Sequence, residues 1–272
     1  MAVQFVDRVP TYPGRIKFTK EDGTVIYGVW ERADNPSVEG TPLNAATFNA
    51  MQEGGGLSAD TTLYVSKTGS NTTGDGTEGK PYASITKALS VLPRNLNGFN
   101  ATIRVSAGSY VENVEVKYFY GGTVIFRSTG DNVTISSVSI FDSLVEFYGI
   151  NITLNSSSTA GSSLYIEGGR LFSLNDISIM SPSIGIHVTN GGRLHMAGAD
   201  ASFSGNSYAV LVDNGGYATI GTLAGSAQIL LEAEKGGQIC YNTITATASV
   251  RLHSTASGGR IYSGVQTSIP NY

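Results

Sequence analysis

A single cysteine in 272 residues excludes an intrachain disulfide and any cysteine-based zinc cluster, and Cys240 reads as a small buried hydrophobe. Charge is scarce too. Charged residues make up 14% of the chain, against roughly 25% in an ordinary soluble domain. The net charge of −4 offers no basic footprint for nucleic acid. No apolar run approaches the roughly 18 residues of a membrane span. The opening segment, Met1 to Pro10, has neither the basic start nor the apolar stretch of a signal peptide. With 40% hydrophobic residues, the composition also excludes disorder.

In place of charge the chain carries small residues: 34 Gly, 31 Ser and 26 Thr. That mixture, with many β-formers, predicts a repetitive all-β body. The scarce charge is unevenly spread, because the first 53 residues hold 12 of the 38 charged groups. Within them, Arg15-Ile16-Lys17-Phe18-Thr19 alternates, Asp22-Gly23 turns, and Thr24 to Trp30 returns, which predicts a hairpin. Thr41 as N-cap and Pro42 at the first helical position then predict a short helix to Met51, ended by Gly54-Gly55-Gly56. Residues 57–100 form a cap: a strand at Leu63 to Ser66, a Gly-rich loop from Gly69 to Lys80, and a helix from Pro81 to Pro93 with Ile85, Ala88, Leu89 and Leu92 on one face.

From residue 101 short strands follow one another, and a repeat emerges. Gly-Gly pairs begin at Gly168, Gly191, Gly215, Gly236 and Gly258, spaced 23, 24, 21 and 22 residues apart. Such a period signals a solenoid. Aligned on the first glycine, Leu171, Leu194, Ala218, Ile239 and Ile261 form an apolar column. Columns five and three residues before the glycine (Ser163, Ile186, Val210, Leu231, His253; then Tyr165, Val188, Val212, Ala233, Thr255) also read as inward-facing. A polar column, Arg170, Arg193, Tyr217, Gln238 and Arg260, reads as outward-facing. The expected architecture is all-β: a right-handed single-stranded parallel β-helix over 101–272, about seven coils of 21–24 residues, stacked at about 4.8 Å. Stacking explains the missing charge, since like charges on neighbouring strands repel.

Two segments carry a resemblance. Leu63-Tyr64-Val65-Ser66-Lys67-Thr68-Gly69-Ser70, Gly74-Asp75-Gly76-Thr77 and Pro81-Tyr82-Ala83-Ser84-Ile85-Thr86-Lys87-Ala88 resemble the opening of pectate-lyase-like right-handed β-helix proteins, among which phage tailspikes and tail fibres are numerous. Gly40-Thr41-Pro42-Leu43-Asn44-Ala45-Ala46-Thr47-Phe48-Asn49 resembles the start of tail-fibre and baseplate proteins of phages and prophages. The resemblance implies a structural and adhesive viral protein of the virion, made in the cytoplasm of a bacterial host. Its residues 1–56 would attach to a phage tail or baseplate, and its β-helix would project as a homotrimer and contact a host cell-surface glycan. The alternative it implies is a tailspike glycan hydrolase or lyase.

For catalysis the candidates are Asp213 and Glu234, two residues before the glycine of adjacent coils and so about 5 Å apart, near the separation of a retaining glycosidase. For ligand binding they are Arg170, Arg193, Tyr217, Gln238 and Arg260. His187 sits beside an inward column, His253 falls in one, and His195 lies on a face by Arg193. No metal-ligand spacing emerges, no cofactor is expected, and Gly74-Asp75-Gly76 reads as a structural loop.

Overall fold

The computed structural model describes residues 15–19, 22–29, 56–128, 132–148, 150, 152–155, 161–173, 176–180, 183–196, 199–254 and 257–264. The chain divides into two compact units, Met1–Gly55 and Gly56–Tyr272. In the first, β1 (Arg15–Thr19) and β2 (Val25–Val29) pair antiparallel, Arg15 opposite Val29 and Thr19 opposite Val25. At the turn Gly23 has φ +83°, and the Asp22 carboxylate accepts from the Thr24 amide at 2.8 Å. The hairpin therefore forms where the alternation places it. The helix expected from Thr41 to Met51 lies outside the described residues.

The second unit opens with β3 (Thr61–Val65) and α1 (Ile85–Val91). There follow β4 (Asn100–Val105), β5 (Gly108–Lys117), β6 (Thr123–Ser128), β7 (Val133–Phe141), β8 (Leu144–Phe147), β9 (Ile152–Leu154) and β10 (Ser162–Glu167). The later coils are β11 (Arg170–Ser173), β12 (Ile177–Met180), β13 (Ile184–Thr189), β14 (Arg193–Met196), β15 (Ala201–Val212), β16 (Tyr217–Ala233), β17 (Gln238–Ile244), β18 (Thr247–Ser254) and β19 (Arg260–Ser263). Every pairing among these strands is parallel and joins one coil to the next, giving the right-handed parallel β-helix that the period predicts.

Three stacks of strands build it. One runs β3-β4-β6-β8-β11-β14-β16-β17-β19. A second joins the ends of β5 and β7 to β10, β13, β15, β16 and β18. This stack has seven levels, and the solenoid makes about six turns where the period suggests about seven. The third stack contains β9, β12 and the start of β15.

The turn between the second and first stacks explains the Gly-Gly pairs. At Asn190-Gly191, Asn214-Gly215 and Lys235-Gly236 both residues have positive φ, where glycine carries no steric cost. The second glycine has another reason. A Cβ on Gly216 would lie 2.5 Å from the Val188 carbonyl oxygen, and one on Gly237 would lie 2.1 Å from that of Val212. Thus one glycine turns the chain, and the next lets it rest on the coil below.

Inside, Ala101, Val124, Val145, Leu171, Leu194, Ala218 and Ile239 form one register column, each with no exposed surface. Phe126 and Phe147 meet edge to face at 5.7 Å in the same interior. Burying each large aliphatic side chain contributes roughly 1.5–3 kcal/mol.

Two columns differ from their expected alignment. Ile166, not Tyr165, pairs with Val188, and Leu164, not Ser163, pairs with Ile186. The turn at Gly168 has one residue of positive φ instead of two, so counting from the glycine slips by one. At the other end Leu231 pairs with Leu252, and His253 pairs with Glu232, because the last turn is one residue longer. In the backbone register His253 therefore follows Glu232 and not the Leu231 column.

The cap helix is also shorter than expected. Residues 81–84 are occupied by the loop: Ser70 donates its amide to the Pro81 carbonyl, Ser66 to that of Tyr82, and the Asn71 side chain accepts from Ala83 and Ser84. Ser84 caps the helix by accepting from the Lys87 amide. From the neighbouring coil, Glu112 accepts from the amides of Ile85 (3.1 Å) and Thr86 (2.9 Å), a favourable place for a carboxylate. In the loop, Asp75 accepts from the Thr77 amide and hydroxyl, which holds its carboxyl below the usual value.

Candidate functional site

The outer face of the first stack carries the polar column. Arg170, Arg193, Tyr217, Gln238 and Arg260 are consecutive register partners. Two residues along runs a second outward column: Glu146, Phe172, His195, Thr219, Cys240 and Tyr262. The strand period of two is what puts both on one face.

The two columns are linked. The Tyr217 hydroxyl donates to the Cys240 Sγ at 3.5 Å, and burial together with that contact pushes the phenol up to about 12. Cys240 itself is 1% exposed. His195 Nδ1 lies 2.9 Å from the Thr219 hydroxyl, which donates its own proton to the Leu194 carbonyl. A hydroxyl has one proton, so the network assigns the His195 proton to Nδ1 and leaves Nε2 as an acceptor. Burial lowers the His195 pKa, so the ring is neutral at pH 7. The Phe172 ring lies 5.7 Å from it.

At the end of these columns lies a cavity of about 210 Å³, lined by His195, Met196, Asp200, Thr219, Ile220, Gly221, Thr222, Cys240, Tyr241 and Asn242. It is smaller than the roughly 300–1,000 Å³ of a drug-sized site, so it suits one small ring rather than a chain. Asp200 shapes its corner by accepting from the Thr222 amide at 3.2 Å, while its own amide donates to Asp176 at 2.9 Å.

On the other side of the Gly-Gly turn, the second stack carries the acids. Asp213 Oδ1 lies 3.3 Å from His187 Nε2, and Asp213 is only 8% exposed. His187 Nδ1 is buried without a partner. Glu167 accepts from the Tyr165 hydroxyl at 3.0 Å and the Asn190 amide group at 2.9 Å. The rings of Phe141, Tyr165 and His187 meet at successive levels, the first two tilted at 5.6 Å and the last two edge to face at 5.3 Å. Burial, with Glu167 next, pushes Tyr165 up to about 12. Glu234 sits one coil from Asp213, its amide donating to the Val212 carbonyl at 3.0 Å, and is half-buried. The backbones of Asp213 and Glu234 are therefore adjacent, while the Asp213 carboxylate is engaged with His187.

The spacing of the glycines does not reveal the His187–Asp213 pair. The glycine spacing does align Val188 with Val212, but His187 is in register with Leu211 and meets Asp213 on a diagonal two positions further along, so no column of the repeat contains the pair. Among the described residues no group of three His, Cys, Asp or Glu is placed to hold a metal, and no helix is long and apolar enough to cross a membrane. Comparison with known proteins returns no matching family model, no matching curated protein and no matching solved structure.

Proposed function

We propose that the protein is a structural, adhesive component of a phage tail or phage-tail-like particle. Its residues 1–56 join the tail or baseplate, and its β-helix, as a homotrimer, contacts a host-surface glycan. The observation that carries adhesion is the outward column Arg170–Arg193–Tyr217–Gln238–Arg260, four side chains rich in donors and one aromatic ring at successive levels of one face, beside a cavity sized for one ring. Planar guanidinium groups and tyrosine hydroxyls suit hydroxylated and acidic sugars. Tail association is supported by the resemblances at residues 40–49 and 63–88 and by the division into two compact units.

Electron microscopy of particles carrying a tagged full chain tests the location. Label on the tail supports the proposal, and particles whose tails lack it overturn it. Solution mass tests the assembly: a species at three times 28.5 kDa is expected, and a clean monomer contradicts the trimer. Incubation with host polysaccharide decides between adhesion and cleavage. Oligosaccharide release that disappears in Asp213→Asn or Glu234→Gln would replace adhesion with glycan hydrolysis or elimination.

A further inference from the structure

A third outward column lies on the same sheet, near its first coils. Tyr64, Arg104 and Arg127 are register partners, and Tyr148 comes directly after β8 on the next coil, its amide donating to the Phe126 carbonyl. The Arg127 guanidinium lies 4.3 Å over the Tyr148 ring, and that of Arg104 lies 6.0 Å from Tyr64. Two cations therefore stand on adjacent strands, about 4.8 Å apart at the backbone, each held against an aromatic face. Among the described residues neither pairs with a carboxylate, and the Arg127 Nε is buried without a hydrogen-bond partner.

Neighbouring like charges destabilise a sheet, and a buried cationic donor without an acceptor is costly. An anion bridging the two guanidiniums offsets the repulsion between them. The charge of the whole sheet points the same way. In the strand segments that build the first stack, Arg104, Arg127, Arg170, Arg193 and Arg260 stand against one acid, Glu146, since the Glu232 of β16 lies in the part that joins the second stack, although the chain as a whole is net −4.

We propose that Arg104 and Arg127, braced by Tyr64 and Tyr148, form a binding subsite for the anionic group of an acidic polysaccharide, a carboxylate or a phosphodiester carried once per repeat unit. A sparsely charged glycan fits better than nucleic acid. The arginines come in separated pairs, and Glu146 stands between Arg127 and Arg170, where it repels a polymer charged at every residue. The tyrosine faces are occupied by guanidinium, which removes the stacking platform that single-stranded nucleic acid requires. This deepens the adhesive reading by naming the class of polymer, and it rests on that reading only for where the polymer comes from.

The test is calorimetric titration of the full chain with four probes of matched length: an oligogalacturonate, a glycerol-phosphate oligomer, a neutral dextran oligomer and single-stranded DNA. Binding of either or both acidic glycans, with the neutral one silent and DNA weaker, supports the subsite, and the two acidic arms identify the anion. Arg104→Gln with Arg127→Gln should weaken that binding by about tenfold or more at unchanged circular dichroism and melting temperature. If the double variant fails to fold, Arg104→Lys is measured instead. It keeps the charge but loses the fork, and severalfold weaker binding supports the subsite. Equal binding of the neutral oligomer, tighter binding of DNA, no binding of either acidic oligomer, or acidic binding untouched by these substitutions overturns the proposal. A chain that binds the acidic oligomer yet is absent from tails refutes the tail reading and leaves the subsite standing.

Discussion

The two sheets that meet at the Gly-Gly turn treat charge in opposite ways. Before the turn, carboxylates are engaged within the chain: Glu167 by Tyr165 and Asn190, Asp213 by His187. After it, arginines stand in register with nothing of opposite sign opposite them. Both sheets share one core and one coil spacing, so the fold does not require the difference. Polar groups satisfied internally act mainly on stability. Cations with no carboxylate in register beside them are the ones available to an anionic partner.

The most severe way to break this contrast is to remove the turn that separates the sheets. Gly237→Ala puts a methyl group 2.1 Å from the Val212 carbonyl oxygen and should cost about 3 kcal/mol or more, or abolish folding. Gly236→Ala has open space but φ +80° and should cost only about 1 kcal/mol. Urea denaturation of both variants reads the difference, and equal costs would refute the two roles assigned to the pair.

Next comes a matched exchange across the turn. Asp213→Ala strands His187 and should lower stability by about 1–3 kcal/mol. Arg193→Gln should change it by less than about 0.5 kcal/mol while weakening acidic-glycan binding. The reverse pattern would erase the distinction between the sheets.

A smaller effect is common to both sheets and is read by pH. Tyr165 before the turn and Tyr217 after it are both raised from 10.0 to about 12. The unfolded chain loses these protons first, so the stability they contribute is complete below pH 10 and is lost between pH 10 and 12. Absorbance at alkaline pH should show Tyr165 and Tyr217 among the late-titrating tyrosines, which also include the buried Tyr110, and each of the two should vanish from the late phase in its own Tyr→Phe variant. The smallest effect is acidic and confined to the arginine-bearing side. The lowered pKa of His195 gives a contribution present above pH 6.5 and lost as pH falls from there through the folded value. His195→Gln should flatten that part of the melting-temperature profile, and an unchanged profile would contradict the assignment.

How far the sequence could be read followed the regularity of its turns. Where Asn-Gly-Gly or Lys-Gly-Gly keeps two residues of positive φ, counting from the glycine finds the correct neighbours, and the Arg170 to Arg260 column emerges intact. One residue fewer at Gly168 or one more before Gly258 moves every upstream position to the opposite face, which is why Tyr165 and His253 read as inward. Before Gly168 the coils turn on Asn97, Tyr118 and Asp142 instead, so the Arg104–Arg127 pair has no marker in the period. The cap helix shows a different limit. Its apolar spacing was legible, but its start was set by loop contacts and by Glu112 from another coil, which are absent from local sequence.

The carbonyl-on-glycine seat of each coil has an evolutionary consequence. Because a coil touches only the one above and the one below, a duplication or deletion of one whole period leaves both new seams apolar and in register. Such a change moves everything beyond it along the axis by about 4.8 Å. Reach, and the distance between the two arginine pairs, can therefore drift in discrete steps by recombination alone, with no new core to be evolved.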